Sequence, residues 1–227
     1  MPGKVLADIL GHPMLYWVVN RAGAANLVDQ VVVATSVERR DDAVEELSLA
    51  EGWDVFRGSE NDVLDRYHAA AAACGAEVVV RVTADCPLID PQVIDSVIAE
   101  YFAGSPPVDY ASNTQRRTYP AGLDTEVFSI SVLQRAWSED RNPAWREHVT
   151  PYIYRSNAGF RLVDVLNDVD ASAIRWTVDT AEDLALIREI YNWFGHGQFS
   201  WTEALSAMDA HPDWKSINAE VRQKELR

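Results

Sequence analysis

Two valine runs, "VVVATS" at 31–36 and "VVVRVT" at 78–83, constrain this chain more than any other feature. Each is short, rich in β-branched residues and apolar on both faces. That is the pattern of a strand buried on both sides of a parallel sheet. Parallel strands cannot be joined by a hairpin, so a crossover, usually a helix, must carry the chain back between them.

The sequence supplies those crossovers. Residues 11–28 have apolar positions at helical spacing, with Pro13 near the start where proline is tolerated. Residues 40–52 form a helical pattern ending near Gly52, and "WDVFRG" at 53–58 is a further strand. Residues 61–75 read as a helix closing on Gly75. Residues 90–102 read as a helix capped by Asp90, with Pro91 in its first position. The rhythm predicts an α/β fold whose sheet is mostly parallel, with helices on both faces.

The pattern loosens after Gly104. Residues 105–124 are turn-rich, and short strands are expected within "DTEVFSI" and "FRLVDVLND", as a smaller antiparallel insertion. "WREHVTPYIY" is helical but interrupted by Pro151. A strand "IRWTV" and a helix over 180–194 restore the regular pattern. The organisation expected is one main domain over 1–195, followed by a C-terminal helix and polar tail over 196–227.

A chain of 227 residues, 48% hydrophobic, can bury a sizeable core. Its net charge of −15 argues against nucleic acid or an anionic membrane as partner, but a few cations or a metal can still hold a small anionic ligand. No apolar stretch is long enough to span a bilayer. Cys74 and Cys86 lack metal-ligand spacing, and a reducing cytoplasm is the expected location.

In open parallel sheets ligands bind beyond the carboxyl ends of the strands. Asp85 lies just past the "VVVRVT" run, and Asp179 just past "IRWTV". Either could be an ordinary turn or cap residue, and Thr180 with Asp183 has the look of a helix cap. Two aspartates at two strand ends can instead share one Mg²⁺, which keeps waters and bridges to substrate phosphates. Lys4 is the only cation in the opening loop and is placed to neutralise phosphate. Arg57, Ser59, Arg66 and Thr83 are candidates for nucleotide binding. Asp62 and Asp65 fall in the first turn of a helix and read as structural. Tyr119, Asp124 and Glu126 form a candidate sugar-binding rim, and Arg146 a candidate anion contact. His148 reads as packing rather than catalysis, and Asp168-Val169-Asp170 as a solvated turn.

The opening "MPGKVL" is a glycine turn with a lysine, and such phosphate loops normally follow a strand. In a doubly wound sheet the first strand is central. Without one ahead of this loop, the expectation is a groove in mid-sheet or some other segment filling that place.

In order and at matching spacing, "PGKVL", "VVVATS", "VFRGSENDVLDRY", "VVVRVTADCPLIDP", "YPAGLDTEVFS", "REHVTPYI" and "RWTVDTAEDL" resemble the cytidylyltransferases of the spore coat polysaccharide biosynthesis protein F type, relatives of the CMP-sialate and CMP-KDO synthetases. The resemblance runs from Pro2 to about Trp193. It implies a Rossmann-like nucleotide-diphospho-sugar transferase fold. It also implies transfer of CMP from CTP to a sugar or sugar acid, with Mg²⁺, for surface polysaccharide or glycan synthesis, and a homodimer. Asp85 and Asp179 match the family's metal aspartates, and Lys4 its phosphate-contacting lysine. The strand and the arginine- and serine-rich loop that precede "PGK" in that family have no counterpart in this sequence, so the fold is expected to lack its first strand. Two rival readings are a nucleotide-sugar-dependent glycosyltransferase and a catalytically inactive, truncated binding protein.

Overall fold

The computed structural model describes residue 1 and residues 3–221. Pro2 of the "PGK" string and the polar tail beyond residue 221 lie outside the described residues. A small hairpin of β1 (Asp8–Ile9) and β2 (His12–Pro13) leads into α1 (Met14–Gly23). Next come β3 (Val32–Ser36), α2 (Asp42–Ala50), β4 (Asp54–Gly58), α3 (Val63–Cys74), β5 (Val78–Arg81) and α4 (Pro91–Ala103). These form where the valine runs and their Gly and Pro punctuation put them. Asp90 caps α4 by accepting from the amides of Gln92 and Val93, with Pro91 in the first turn.

The rest is more irregular: β6 (Tyr110–Ser112), β7 (Glu126–Ser129), α5 (Ile130–Glu139), α6 (Pro143–His148), α7 (Pro151–Arg155), β8 (Leu162–Asp164), α8 (Ala181–Phe194), α9 (Trp201–Ala210) and α10 (Trp214–Ile217). Helix α5, capped by Ser129, is an element the sequence patterns did not yield. The expected strand "IRWTV" is reduced to a single bridge between Arg175 and Ala121.

Strands β3 and β4 pair in parallel, and a second sheet has the order β5-β7-β6-β8. This sheet is mixed rather than mostly parallel: β7 runs antiparallel to both neighbours, while β6 and β8 are parallel. The reason lies in the connections. Helix α4 carries the chain back between β5 and β6, whereas no helix separates β6 from β7, so β7 returns in the opposite sense.

Side chains alternate across the sheet as the pleat requires. Val78, Val80, Ala111 and Val127 face α1 and α4, packing on Val18, Ala22, Ile94, Val97 and Ile98. Val79, Tyr110 and Phe128 face the other way, onto Leu64 and Ala71 of α3, Leu133 and Ala136 of α5, and Ile153 of α7. A further cluster joins α8, α9 and Trp214 to Trp176, Leu123 and Met14.

No strand among the described residues pairs with the edges of β3 and β5 that face each other. Between them runs a groove of about 790 Å³, lined by Val32, Val33, Val79 and Val80 with Leu15 and Val18 beneath. A mid-sheet groove is one of the two outcomes expected from the opening loop. Among the described residues no helix is long and apolar enough to cross a membrane.

Candidate active site

Beyond Arg81, the last residue of β5, the chain passes through Thr83 into a turn at Ala84 and Asp85, which the Cys86 amide closes on the Thr83 carbonyl at 3.2 Å. The Val178 amide donates to the Asp85 carbonyl at 2.8 Å, which brings the segment carrying Asp179 alongside. The chain's beginning enters the same place. Gly3, in the left-handed region at φ 67°, turns it into a short 3-10 helix over Lys4–Leu6, and Lys4 points at both aspartates.

Lys4 Nζ donates to Asp85 Oδ2 at 2.7 Å and to Asp179 Oδ1 at 2.7 Å. Two oxygens on one nitrogen lie within twice that distance of each other, so the two carboxylates converge on one point. The other oxygen of each is held separately. Asp85 Oδ1 accepts from Thr83 Oγ1 at 2.6 Å, and Asp179 Oδ2 from Arg175 Nη2 at 2.7 Å. Side-chain exposures of 24% for Asp85 and 37% for Asp179 leave the site open to a ligand.

Asp183 stands behind this arrangement. Its side chain is fully buried and accepts from Arg175 Nε at 3.0 Å, from the Asp179 and Thr180 amides, and from Asn218 Nδ2 at 2.9 Å. It also forms the capping box of α8 with Thr180. Burial works against its charge, but the Arg175 guanidinium and the amide donors outweigh that and hold its pKa below the usual carboxylate range. Asp179 is likewise lowered: burial opposes, and Lys4 and Arg175 prevail. Burial lowers the Lys4 pKa less than Asp85 and Asp179 raise it, so its ammonium is favoured. Arg175 and Asp183 were not among the residues singled out as functional. Their only signal is that Arg175 precedes Asp179 by four residues and Asp183 follows it by four.

The structure gathers Lys4, Thr83, Asp85 and Asp179 and ties the remaining candidates to protein partners. Arg57 bonds Asp42 and Glu45 of α2, each at 2.7 Å, and the carbonyls of Ser36 and Glu38. Ser59 Oγ accepts from the Asp62 amide at 3.0 Å. Arg66 donates to the Ser59 carbonyl at 2.7 Å; its Nε is buried without a partner, and its side chain lines the groove. Gly58 makes room for it, since a Cβ there would lie 2.9 Å from Arg66 Cγ.

Arg146 bonds Asp62 at 2.8 Å and the carbonyls of Trp137 and Asp140, joining α6 to α3 and α5. Tyr119 is buried against Trp201 in the α8–α9 cluster. Asp124 holds Arg117 through both oxygens, at 2.5 and 2.7 Å. Glu126 is buried, paired with Arg81, and accepts from Tyr110 Oη at 2.6 Å and Thr150 Oγ1 at 2.5 Å. Asp62 caps α3, and Asp170 accepts from the Ser172 amide in an exposed turn, both as expected.

Val149 is buried at φ 74° and ψ −58°, and the Thr150 amide bonds the His148 carbonyl at 2.9 Å. This is the strained form of the γ-turn, and it aims Thr150 at Glu126. The loop before β7 holds a second special position. Gly122, at φ 111°, presses on the segment that carries Arg175 and Asp179, and a Cβ there would lie 2.8 Å from the Trp176 and Thr177 backbone. Gly122→Ala is therefore expected to cost about 1–3 kcal/mol or more in urea unfolding, from strain and overlap together.

Among the described residues, no group of three or more His, Cys, Asp or Glu is arranged to hold a metal by itself. The donor set is two carboxylates converging on one cationic point, all oxygen and partly open. This suits a hard cation that draws its other ligands from water and a phosphate substrate.

Known proteins resemble this chain over most of its length. A family model described as cytidylyltransferase matches residues 1–204. The spore coat polysaccharide biosynthesis protein SpsF of Bacillus subtilis is 30% identical over 94% of this chain and 90% of its own length. The 3-deoxy-manno-octulosonate cytidylyltransferase of Geobacter metallireducens is 38% identical over 45% of this chain and 39% of its own. A cytidylyltransferase structure from Leptospira borgpetersenii superposes with a TM-score of 0.91 at 31% identity, covering 99% of this chain and 93% of that one.

Proposed function

Because this chain belongs to the cytidylyltransferase family, we propose that it transfers CMP from CTP to a sugar or sugar acid in the cytoplasm, releasing pyrophosphate, as a step in making a surface polysaccharide or glycan. The observation that carries the reading is the Lys4 ammonium held between Asp85 and Asp179 at the carboxyl end of β5. Two acids and one lysine at a strand end are what a nucleoside triphosphate and its counter-ion need.

The reaction is in-line attack of a sugar hydroxyl on the α-phosphorus, with pyrophosphate as the leaving group. Negative charge grows on the phosphoryl oxygens and on the pyrophosphate, so the protein's contribution is positioning and charge neutralisation. Lys4 supplies a mobile positive charge against the phosphates. Asp85 and Asp179 fit Mg²⁺ as carboxylate ligands, and the ion, when bound, polarises the phosphoryl oxygens. Thr83 fixes the orientation of Asp85, and Arg175 that of Asp179. The glycosyltransferase alternative depends on an Asp-x-Asp metal motif. Asp168 and Asp170, which have that spacing, lie in an exposed turn after β8, with Asp170 engaged by Ser172.

The test is to incubate the protein with CTP, Mg²⁺ and a panel of sugars and sugar acids, and to follow pyrophosphate. Release that requires both CTP and one of the acceptors, and that stops on chelation with EDTA, supports the reading. Product formed from a nucleotide-sugar instead, without pyrophosphate, overturns it.

A further inference from the structure

We propose that Lys4 is a built-in competitor for the cation site: its ammonium takes the position that a divalent cation shared by Asp85 and Asp179 would take, and it is drawn off by the phosphates of the nucleotide. The inference rests on the reading of those two aspartates as metal carboxylates, and extends it to the order in which the site fills.

The hydrogen-bond pattern carries the argument. Each aspartate has one oxygen engaged by the surrounding protein, Asp85 Oδ1 by Thr83 and Asp179 Oδ2 by Arg175. The other oxygen of each, Asp85 Oδ2 and Asp179 Oδ1, is held among the described residues by Lys4, at 2.7 Å in both cases. The pair of oxygens free to meet a metal is therefore the pair that Lys4 occupies. An ammonium and a divalent cation cannot both sit between the same two oxygens, because like charges at such range repel strongly.

Lys4 is also able to leave. Its charge rides on a flexible four-carbon stem, while Val5 and Leu6 pack against the Leu15 and Val19 cluster and anchor the backbone. Gly3, the hinge before it, has open space around the position of a Cβ. Thr83 and Arg175 keep both carboxylates in place when Lys4 swings away. A triphosphate gives the displaced ammonium a new partner. Metal and nucleotide therefore favour each other's binding through one side chain, and the effect is reciprocal.

The experiment titrates Mn²⁺, without nucleotide, into the wild-type protein, Lys4→Met and Lys4→Gln, and reads free Mn²⁺ by electron paramagnetic resonance. Removing the competitor is expected to tighten Mn²⁺ binding by about tenfold or more, the range of a close charge-pair coupling. The gain should vanish in the Lys4→Met/Asp85→Asn double variant. The melting temperature gives a second readout, and Mg²⁺ should raise it more in the Lys4 variants than in wild type, because Asp85 Oδ2 and Asp179 Oδ1 there lose the cation that held them. Mn²⁺ binding no tighter in either Lys4 variant than in wild type overturns the proposal. If that result comes with pyrophosphate release that needs both metal and Asp85, only the competitor role fails. If release proceeds in EDTA, the metal reading itself fails.

Discussion

In Asp85→Asn, pyrophosphate release is expected to fall by about 10²–10³-fold, while the melting temperature drops by no more than about 2–4 °C. The two effects separate because Asp85 does different things for the fold and for the chemistry. For the fold it is one partner of a partly buried ion pair, with side-chain exposures of 22% for Lys4 and 24% for Asp85. In the variant Lys4 keeps Asp179 as its carboxylate partner, so the lost pair costs on the order of 1 kcal/mol. The amide keeps the shape of the carboxylate and can still accept from Thr83. For the chemistry, the variant removes one of two negative charges from a site with no third carboxylate to replace it among the described residues. Steady-state release assayed with saturating CTP, beside a thermal melt of the same preparation, decides the matter. Turnover at the wild-type rate would remove Asp85 from the site.

The strands and their crossovers were legible because the cues are local. A run of valines, a Gly at a helix end and an Asp-Pro at a helix start act within a few residues. Strand direction has no such cue, so the antiparallel course of β7 emerges only when the connection from β6 is seen to lack a helix. Helix α5 has its apolar residues at helical spacing, but it begins at Ile130 directly after β7 ends at Ser129, so no Gly or Pro separates it from the strand-like run before it.

The site divides the same way. Asp85 and Asp179 announce themselves by following strand-like runs. Arg57 within β4, Glu126 at the start of β7 and Arg146 on α6 are equally charged, yet their charges are satisfied by partners 12, 45 and 84 positions away in the chain. A charged residue after a strand looks the same in sequence whether it awaits a ligand or already has an ion-pair partner. Asp183 is the converse case. Its capping pattern was readable, but its pairing with Arg175 was not, because Arg175 reads as one more residue of an apolar strand.

Asp183→Ala is expected to show the reverse of the Asp85→Asn pattern: a loss of about 3–5 kcal/mol in urea unfolding, with turnover reduced as a consequence of misplacement. The carboxylate is fully buried, and its charge is matched by Arg175, whose own side chain is 11% exposed. Truncation leaves the Asp179 and Thr180 amides without their Asp183 acceptor, and each such loss in a buried place costs about 1–3 kcal/mol; Asn218 Nδ2 loses one of two acceptors and keeps the Arg175 carbonyl. It also removes half of the capping box that starts α8, and that helix contributes Leu184, Leu186, Ile187, Ile190 and Tyr191 to the core. Arg175 is left with Asp179 as its remaining carboxylate among the pairs seen here, which pulls that side chain toward the guanidinium and away from Lys4. Asp183→Asn keeps the shape and one acceptor oxygen, so its loss should be smaller. A denaturant midpoint for Asp183→Ala within error of wild type would mean that the buried pair contributes nothing net, and that Arg175 and Lys4 position Asp179 without help from Asp183.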